Sequence, residues 1–178
     1  MTYSGKHYDF EDKRRGYRQL ALDLQGLLAG ESDLIANAAN TAALLFDALP
    51  AINWAGFYFL RGEELVVGPF QGKPACVRIA LGRGVCGTAA LQRTTIVVPD
   101  VREFPGHIAC DGASRSEIVV PLLGERLLGV LDLDSPRPGR FDDEDARGLA
   151  RLAALFLAAS RTNEPCGSLP RADPPRTP

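Results

Sequence analysis

The stretch that decides the fold is GHIACDGASRSEIVVPLLGERLLGVLDLDS, residues 106–135. It opens as a loop carrying Cys110 among small residues and continues as two apolar runs joined by Gly124-Glu125. Glycine at the first turn position suits a two-residue II′ hairpin. In that register Leu123 faces Arg126, and counting back sets Glu117 opposite Asp132. Side chains alternate faces along a strand. Leu127, Leu131 and Leu133 then share one face with Ile118, Val120 and Leu122, while Glu117, Asp132 and Asp134 share the other. Directly opposed like charges destabilise a sheet. Three carboxylates gathered a few residues from a cysteine therefore ask for a compensating ligand.

Outward from this hairpin the chain alternates strand and helix signals. Upstream, TTIVVPDV reads as a strand ended by Pro99 and Asp100, preceded by the Gly-rich GRGVCGTAALQ with a short helix starting near Val85. WAGFYFL (54–60) is rich in aromatic strand formers and turns at Gly62 into ELVVGPF. QGKPACVRIAL is a loop feeding a further strand. Residues 11–29 are predicted helical, with Leu20, Leu24, Leu27 and Leu28 at helical spacing and Gly30 as the stop. Ser32 is the expected N-cap of a second helix to about Leu49, where Pro50 ends it. Downstream, Asp142 caps a last helix to about Ser160, with Asp143, Glu144 and Asp145 on its positive end. The order predicts an α+β domain: an antiparallel sheet of about six strands with helices packed mainly on one face. We place that domain at residues 1–161. Five of the last 17 residues are proline, so 162–178 is expected to be a disordered tail, with Cys166 an uninvolved thiol in it.

At 178 residues the chain can bury one real core, and its 46% hydrophobic and 24% charged residues are ordinary for a globular protein. A net charge of −2 with no basic run gives no nucleic-acid footprint. The polar first residues contain no apolar leader core, and no run of 18 apolar residues exists. A cytoplasmic location is expected. Thiols stay reduced there, so cysteines read as catalytic, redox or metal-binding.

Three cysteines lie in Gly-rich turns: Cys76 after QGKPA, Cys86 in GRGVCG and Cys110 in GHIACDG. Buried cysteines often just fill cores, but loops carry function more often than packing. A reactive thiolate needs positive potential, which His107, Lys73, Arg83 or a helix start near Cys86 could supply. A zinc set of Cys76, Cys86, Cys110 and His107 is disfavoured because close cysteine pairs are absent. No D-x-D-x-D-G calcium loop is present, which disfavours an EF-hand-like site; a single carboxylate-bound ion aside, no metal is expected. Trp54 and Tyr58 share a strand face with Gly56, and a glycine between aromatics predicts an open trough for a small apolar group. Acids favour a ligand carrying an ammonium, and thiols favour an oxidised centre.

GPFQGKPAC, GRGVCGTAA, VPDV, FPGHIACD, SEIVVP and GVLDLDSP, in this order and spacing, closely resemble the free methionine-(R)-sulfoxide reductases, which are single GAF-domain enzymes. The resemblance covers about residues 30–158. It implies reduction of free L-methionine (R)-S-oxide through a cysteine sulfenic acid and an intramolecular disulfide recycled by thioredoxin, with no cofactor. By motif, Cys110 matches the attacking thiol, Cys76 its resolving partner and Cys86 a third reactive position; which of Cys110 and Cys86 attacks stays open. Glu117, Asp132 and Asp134 match substrate-binding acids, and Trp54 and Tyr58 the pocket wall. One acid, Glu117, raised in pKa by its neighbours, would give its proton to the sulfoxide oxygen. GAF domains often pair through terminal helices, so a homodimer is expected. The rival reading is a GAF domain that binds a small ligand or senses redox state without turnover.

Overall fold

The structure, a computed structural model, describes residues 8–107 and 111–160. Four α-helices are present among the described residues: α1 (Lys13–Leu28), α2 (Leu34–Ala48), α3 (Gly84–Gln92) and α4 (Asp143–Ala159). The strands are β1 (Trp54–Arg61), β2 (Glu64–Gly72), β3 (Arg78–Ala80), β4 (Ile96–Val98), β5 (Ser116–Leu123) and β6 (Leu127–Ser135). They form one antiparallel sheet in the order β3-β2-β1-β6-β5-β4. One face packs on α1, α2 and α4 through Phe57, Phe59, Ile118, Val120, Leu131 and Leu133. The other carries α3 and its neighbouring loops over Trp54, Tyr58, Val119 and Val130. The predicted α+β layering is thus observed. The tail beyond residue 161, and Cys166 with it, lies outside the described residues.

The helix ends follow their caps. Asp12 accepts the Arg15 N–H, and Gly30 at φ 84° ends α1 as expected. The α2 cap is Asp33, which accepts the Ala36 N–H, and not Ser32. The Glu31 carboxylate takes the N–H groups of Ser32 and Asp33 at 2.7 and 2.8 Å, and this fixes the entry one residue later. Asp142 accepts the Glu144 and Asp145 N–H groups, and the Asp145 carboxylate reaches back to the Asp142 N–H, closing a capping box.

Asp145 is also fully buried and ties three segments together. Tyr17 Oη donates to it at 2.8 Å, Arg140 at 3.1 Å and Lys13 Nζ at 2.5 Å. Lys13 also reaches Asp142 at 2.8 Å. Despite the desolvation that opposes it, this contact and the cap hydrogen bonds hold the Asp142 carboxyl down at about 2. A depressed folded-state pKa stabilises above the ordinary aspartate value and loses that stabilisation as pH falls through about 2. Asp142→Asn keeps a cap acceptor but loses the charge. Its melting temperature should lie below that of the parent at pH 7, with the gap closing as pH falls toward 2. Thermal melts of both across that range measure it, and a gap independent of pH would refute the ion-pair account.

The central hairpin departs from its predicted register. Gly124, Glu125 and Arg126 form a three-residue turn in which the Gly124 N–H donates to Arg126 O, so Leu123 pairs with Leu127. A bulge follows, and Leu122 pairs with Gly129. Together these slide the strands by two residues: Glu117 faces Asp134, and Asp132 faces Val119. An even slip keeps each side chain on its face, so the three acids still share one side. Leu127 is the exception. The bulge turns it toward Val119 and Val130, and Leu128 takes its place on the helix side. Gly129 is required here, because a Cβ would fall on the Tyr58 carbonyl oxygen of β1.

Candidate active site

The acid face of the sheet is built in rows. Trp54 of β1, Asp134 of β6 and Glu117 of β5 are direct neighbours across three strands, and Gly56, Asp132 and Val119 form the next row. Trp54 and Tyr58 stack at 5.8 Å along β1. The first turn of α3 lies over these rows and brings Cys86 Sγ to 3.9 Å from Glu117 Oε1, to which it donates. The resulting pocket is a small concavity of about 30 Å³. Trp54, Tyr58, Cys86, Glu117, Asp132 and Asp134 all line it.

The expected trough at Gly56 is not open. Phe70 of β2 pairs with Gly56 and stacks on Trp54 at 5.2 Å, and a Cβ at Gly56 would collide with it. The glycine lets two rings pack flat, so the aromatic wall is continuous. The Trp54 indole N–H donates to the Lys73 carbonyl at 3.1 Å, which pins the ring.

Electrostatics in the pocket are governed by burial. Glu117 and Asp132 are each 6% exposed. Desolvation first, then the neighbouring acids, hold both well above the usual carboxylate range. Asp134 is pushed up to about 7 by burial, against a hydrogen bond from Ser114 and the proximity of His107. Asp132 Oδ1 is buried without a hydrogen-bond partner among the described residues. Cys86 sits at the positive end of α3, which favours a thiolate. Desolvation and the charges of Asp132 and Glu117 outweigh that, and its thiol is held well above its usual value. His107 lies with Nε2 3.6 Å from Glu117 Oε2, and burial lowers its pKa. It therefore supplies little positive charge at neutral pH. Among the described residues, Cys86, Glu117 and Asp132 form a grouping whose donor atoms lie within 4.8 Å of one another, close enough to converge on a cation.

Cys76 is half-buried at the edge of the apolar cluster under α3, on the segment that carries Lys73, Pro74 and Ala75 into the pocket lining. Cys110 lies outside the described residues. Asp111, Asn53 and Ser114 carry no motif that singles them out in the sequence, yet they meet here. Asp111 accepts from Ala113 N–H, Lys73 Nζ at 3.2 Å and Asn53 Nδ2 at 3.2 Å, and these contacts hold it below its usual value. Asn53 also donates to Ser114 Oγ at 3.1 Å. The Asp-Gly turn at 111–112 was the only local signal. Its partners are 38 and 58 positions away, beyond any pattern of spacing.

The model of the GAF domain matches residues 33–159. A free methionine-(R)-sulfoxide reductase of Escherichia coli K12 is 54% identical over 154 residues, covering 86% of this chain and 93% of the relative. The chain belongs to the free methionine-(R)-sulfoxide reductases of the GAF domain family. The Neisseria meningitidis reductase, solved in complex with its substrate, is 46% identical at a TM-score of 0.82, with 86% of this chain and 93% of that chain covered. A chain from Burkholderia vietnamiensis described as a GAF sensor is 60% identical at a TM-score of 0.81, covering 84% of this chain and 96% of its own. The family match begins at residue 33, yet α1 precedes it and packs on α4, with Tyr17 against Gly148.

Proposed function

We propose that this protein reduces free L-methionine (R)-S-oxide to L-methionine. The observation that carries the reading is the buried acid cluster beneath a continuous aromatic wall, with a thiol in the same pocket. A free amino acid brings an ammonium that a peptide-bound residue lacks. Asp132, whose Oδ1 has no hydrogen-bond partner among the described residues, and Asp134 are the groups we assign to it. Trp54 and Tyr58 enclose the apolar side chain. Glu117, kept neutral by burial and by its neighbours, donates its proton to the sulfoxide oxygen. A cysteine thiolate attacks the sulfur and forms a sulfur–sulfur bond; the protonated oxygen then passes to the cysteine sulfur as its bond to the methionine sulfur and the sulfur–sulfur bond break, so methionine leaves and the cysteine keeps the oxygen as a sulfenic acid. We assign that attack to Cys110 and the resolving thiol to Cys76. Condensation of the two expels water and leaves a disulfide, which a reduced thioredoxin reopens by thiol exchange. No resident cofactor takes part. A cytoplasmic location and a homodimer belong to the same reading.

The test is a thioredoxin-coupled assay with NADPH and each sulfoxide epimer of free methionine. NADPH should be consumed with the R epimer and not with the S epimer or with peptide-bound methionine sulfoxide. Binding of the R epimer without turnover would instead favour a ligand sensor. Cys76→Ser should release one methionine per chain and then stop with a trappable sulfenic acid. Undiminished steady-state turnover by this variant would remove the resolving role.

A further inference from the structure

Two of the acids assigned to the substrate, Glu117 and Asp132, converge with Cys86, a thiol to which the proposed reaction gives no role. Cys86 Sγ, Glu117 and Asp132 offer one sulfur and two carboxylate donors from α3, β5 and β6, all within 4.8 Å of one another and all buried. Asp132 is 6% exposed, and its Oδ1 has no hydrogen-bond partner among the described residues. A tetrahedral zinc with bonds of about 2.3 Å to sulfur and about 2.0 Å to oxygen sets its S···O separation near ~3.5 Å. The Cys86–Glu117 separation is 3.9 Å. Separations of up to 4.8 Å within the set would have to close toward the tetrahedral value by rotation of side chains on α3, β5 and β6. His107 Nε2 lies 3.6 Å from Glu117 Oε2 but is not one of the converging donors. Magnesium and calcium require six or more oxygen ligands, whereas a mixed thiolate and carboxylate set suits zinc and cobalt.

We propose that reduced Cys86, with Glu117 and Asp132, binds one thiophilic divalent cation of the zinc class, and that this ion competes with the amino-acid substrate for the pocket. On binding, the thiol and carboxyl protons pass to buffer and the ion takes their place, so no electron moves. The ion is a reversible inhibitor and not a resident cofactor. Competition rests on the function proposed above, but the binding does not.

The experiment titrates cobalt(II) into the full chain after stripping with a chelator and reduction. One equivalent should bind with a thiolate-to-cobalt charge-transfer band in the near ultraviolet. Zinc should displace it one for one, and a large excess of magnesium should not. Cys86→Ser should lose the band with its circular dichroism unchanged. Loss of a metal's outer hydrogen-bond partner already costs about 10- to 100-fold in affinity, so Asp132→Asn should weaken binding at least that much. Asp132→Asn, nearly isosteric, serves if the serine variant does not fold. A band that survives in Cys86→Ser, no stoichiometric band, or undiminished affinity in Asp132→Asn would each overturn the site. Free methionine sulfoxide should raise the apparent dissociation constant for cobalt. If cobalt binds and the sulfoxide neither competes nor is consumed, the site stands and the reductase reading fails. If the sulfoxide is reduced and no cobalt binds, the reverse holds.

Discussion

Replacing Glu117 by glutamine is expected to lower kcat by about 10²–10⁴-fold while KM moves little. The residue lies where a proton can be kept and delivered. It is buried, it faces Asp134 across the hairpin, and it touches Cys86 and His107. Desolvation and the Asp134 charge both favour its neutral form. A neutral carboxyl donates to a sulfoxide oxygen, polarises the bond and completes the proton transfer as the oxygen leaves. Glutamine reproduces the shape and still accepts from the Cys86 thiol, but its amide has no proton to give at accessible pH. Substrate should therefore bind and wait. Asp132→Asn should behave in the opposite way, because the carboxylate facing the ammonium is gone while the donor remains. Its main effect should be a raised KM. Steady-state kinetics of the two variants, with single-turnover release of methionine, separate the roles. A Glu117→Gln enzyme with full activity, or one impaired only in KM, would remove the acid role.

The sharing of one face by the three acids was legible in the sequence because strand periodicity of two survives any even slip. The pairing was not. Gly124-Glu125-Arg126 accommodates a two- or a three-residue turn, and the bulge that absorbs Leu128 leaves no local mark. The Gly56 trough was misread for a related reason. What fills it is Phe70, brought alongside by β1–β2 pairing with a bulge between Gly56 and Tyr58. Ser32 and Asp33 are both good caps, and the choice fell to the Glu31 carboxylate. Asp145 looked like a helix-dipole charge. Its partners Lys13 and Tyr17 lie 132 and 128 positions away, so its burial could not be read from its neighbours. Cys86 is the instructive case. Its position at a helix start points to a stabilised thiolate, and only the sheet packed beneath it shows that carboxylates and desolvation reverse the sign.

That reversal underlies the second large effect. Cys110→Ser is expected to abolish release of methionine, whereas Cys86→Ser should still release one methionine per chain in a single turnover. An ordinary cysteine with a pKa near ~8.5 is about 3% thiolate at pH 7. Each further unit of rise removes about tenfold of that fraction, while nucleophilicity gains only about threefold. The net cost is roughly three- to fourfold per unit. Cys86 is held well above its usual value and is 4% exposed. Burial also favours the neutral form of its contact Glu117, and that form cannot take the thiol proton. The thiol that remains protonated beside a proton donor is badly placed to attack. Asp111, the residue after Cys110 in the sequence, is tied to Lys73 and Asn53 and lines the pocket. Rapid quench of reduced enzyme mixed with substoichiometric R-sulfoxide measures the release directly. Methionine released by Cys110→Ser, with none from Cys86→Ser, would transfer the attack to Cys86 and require substrate binding to reverse the burial that now keeps its proton in place.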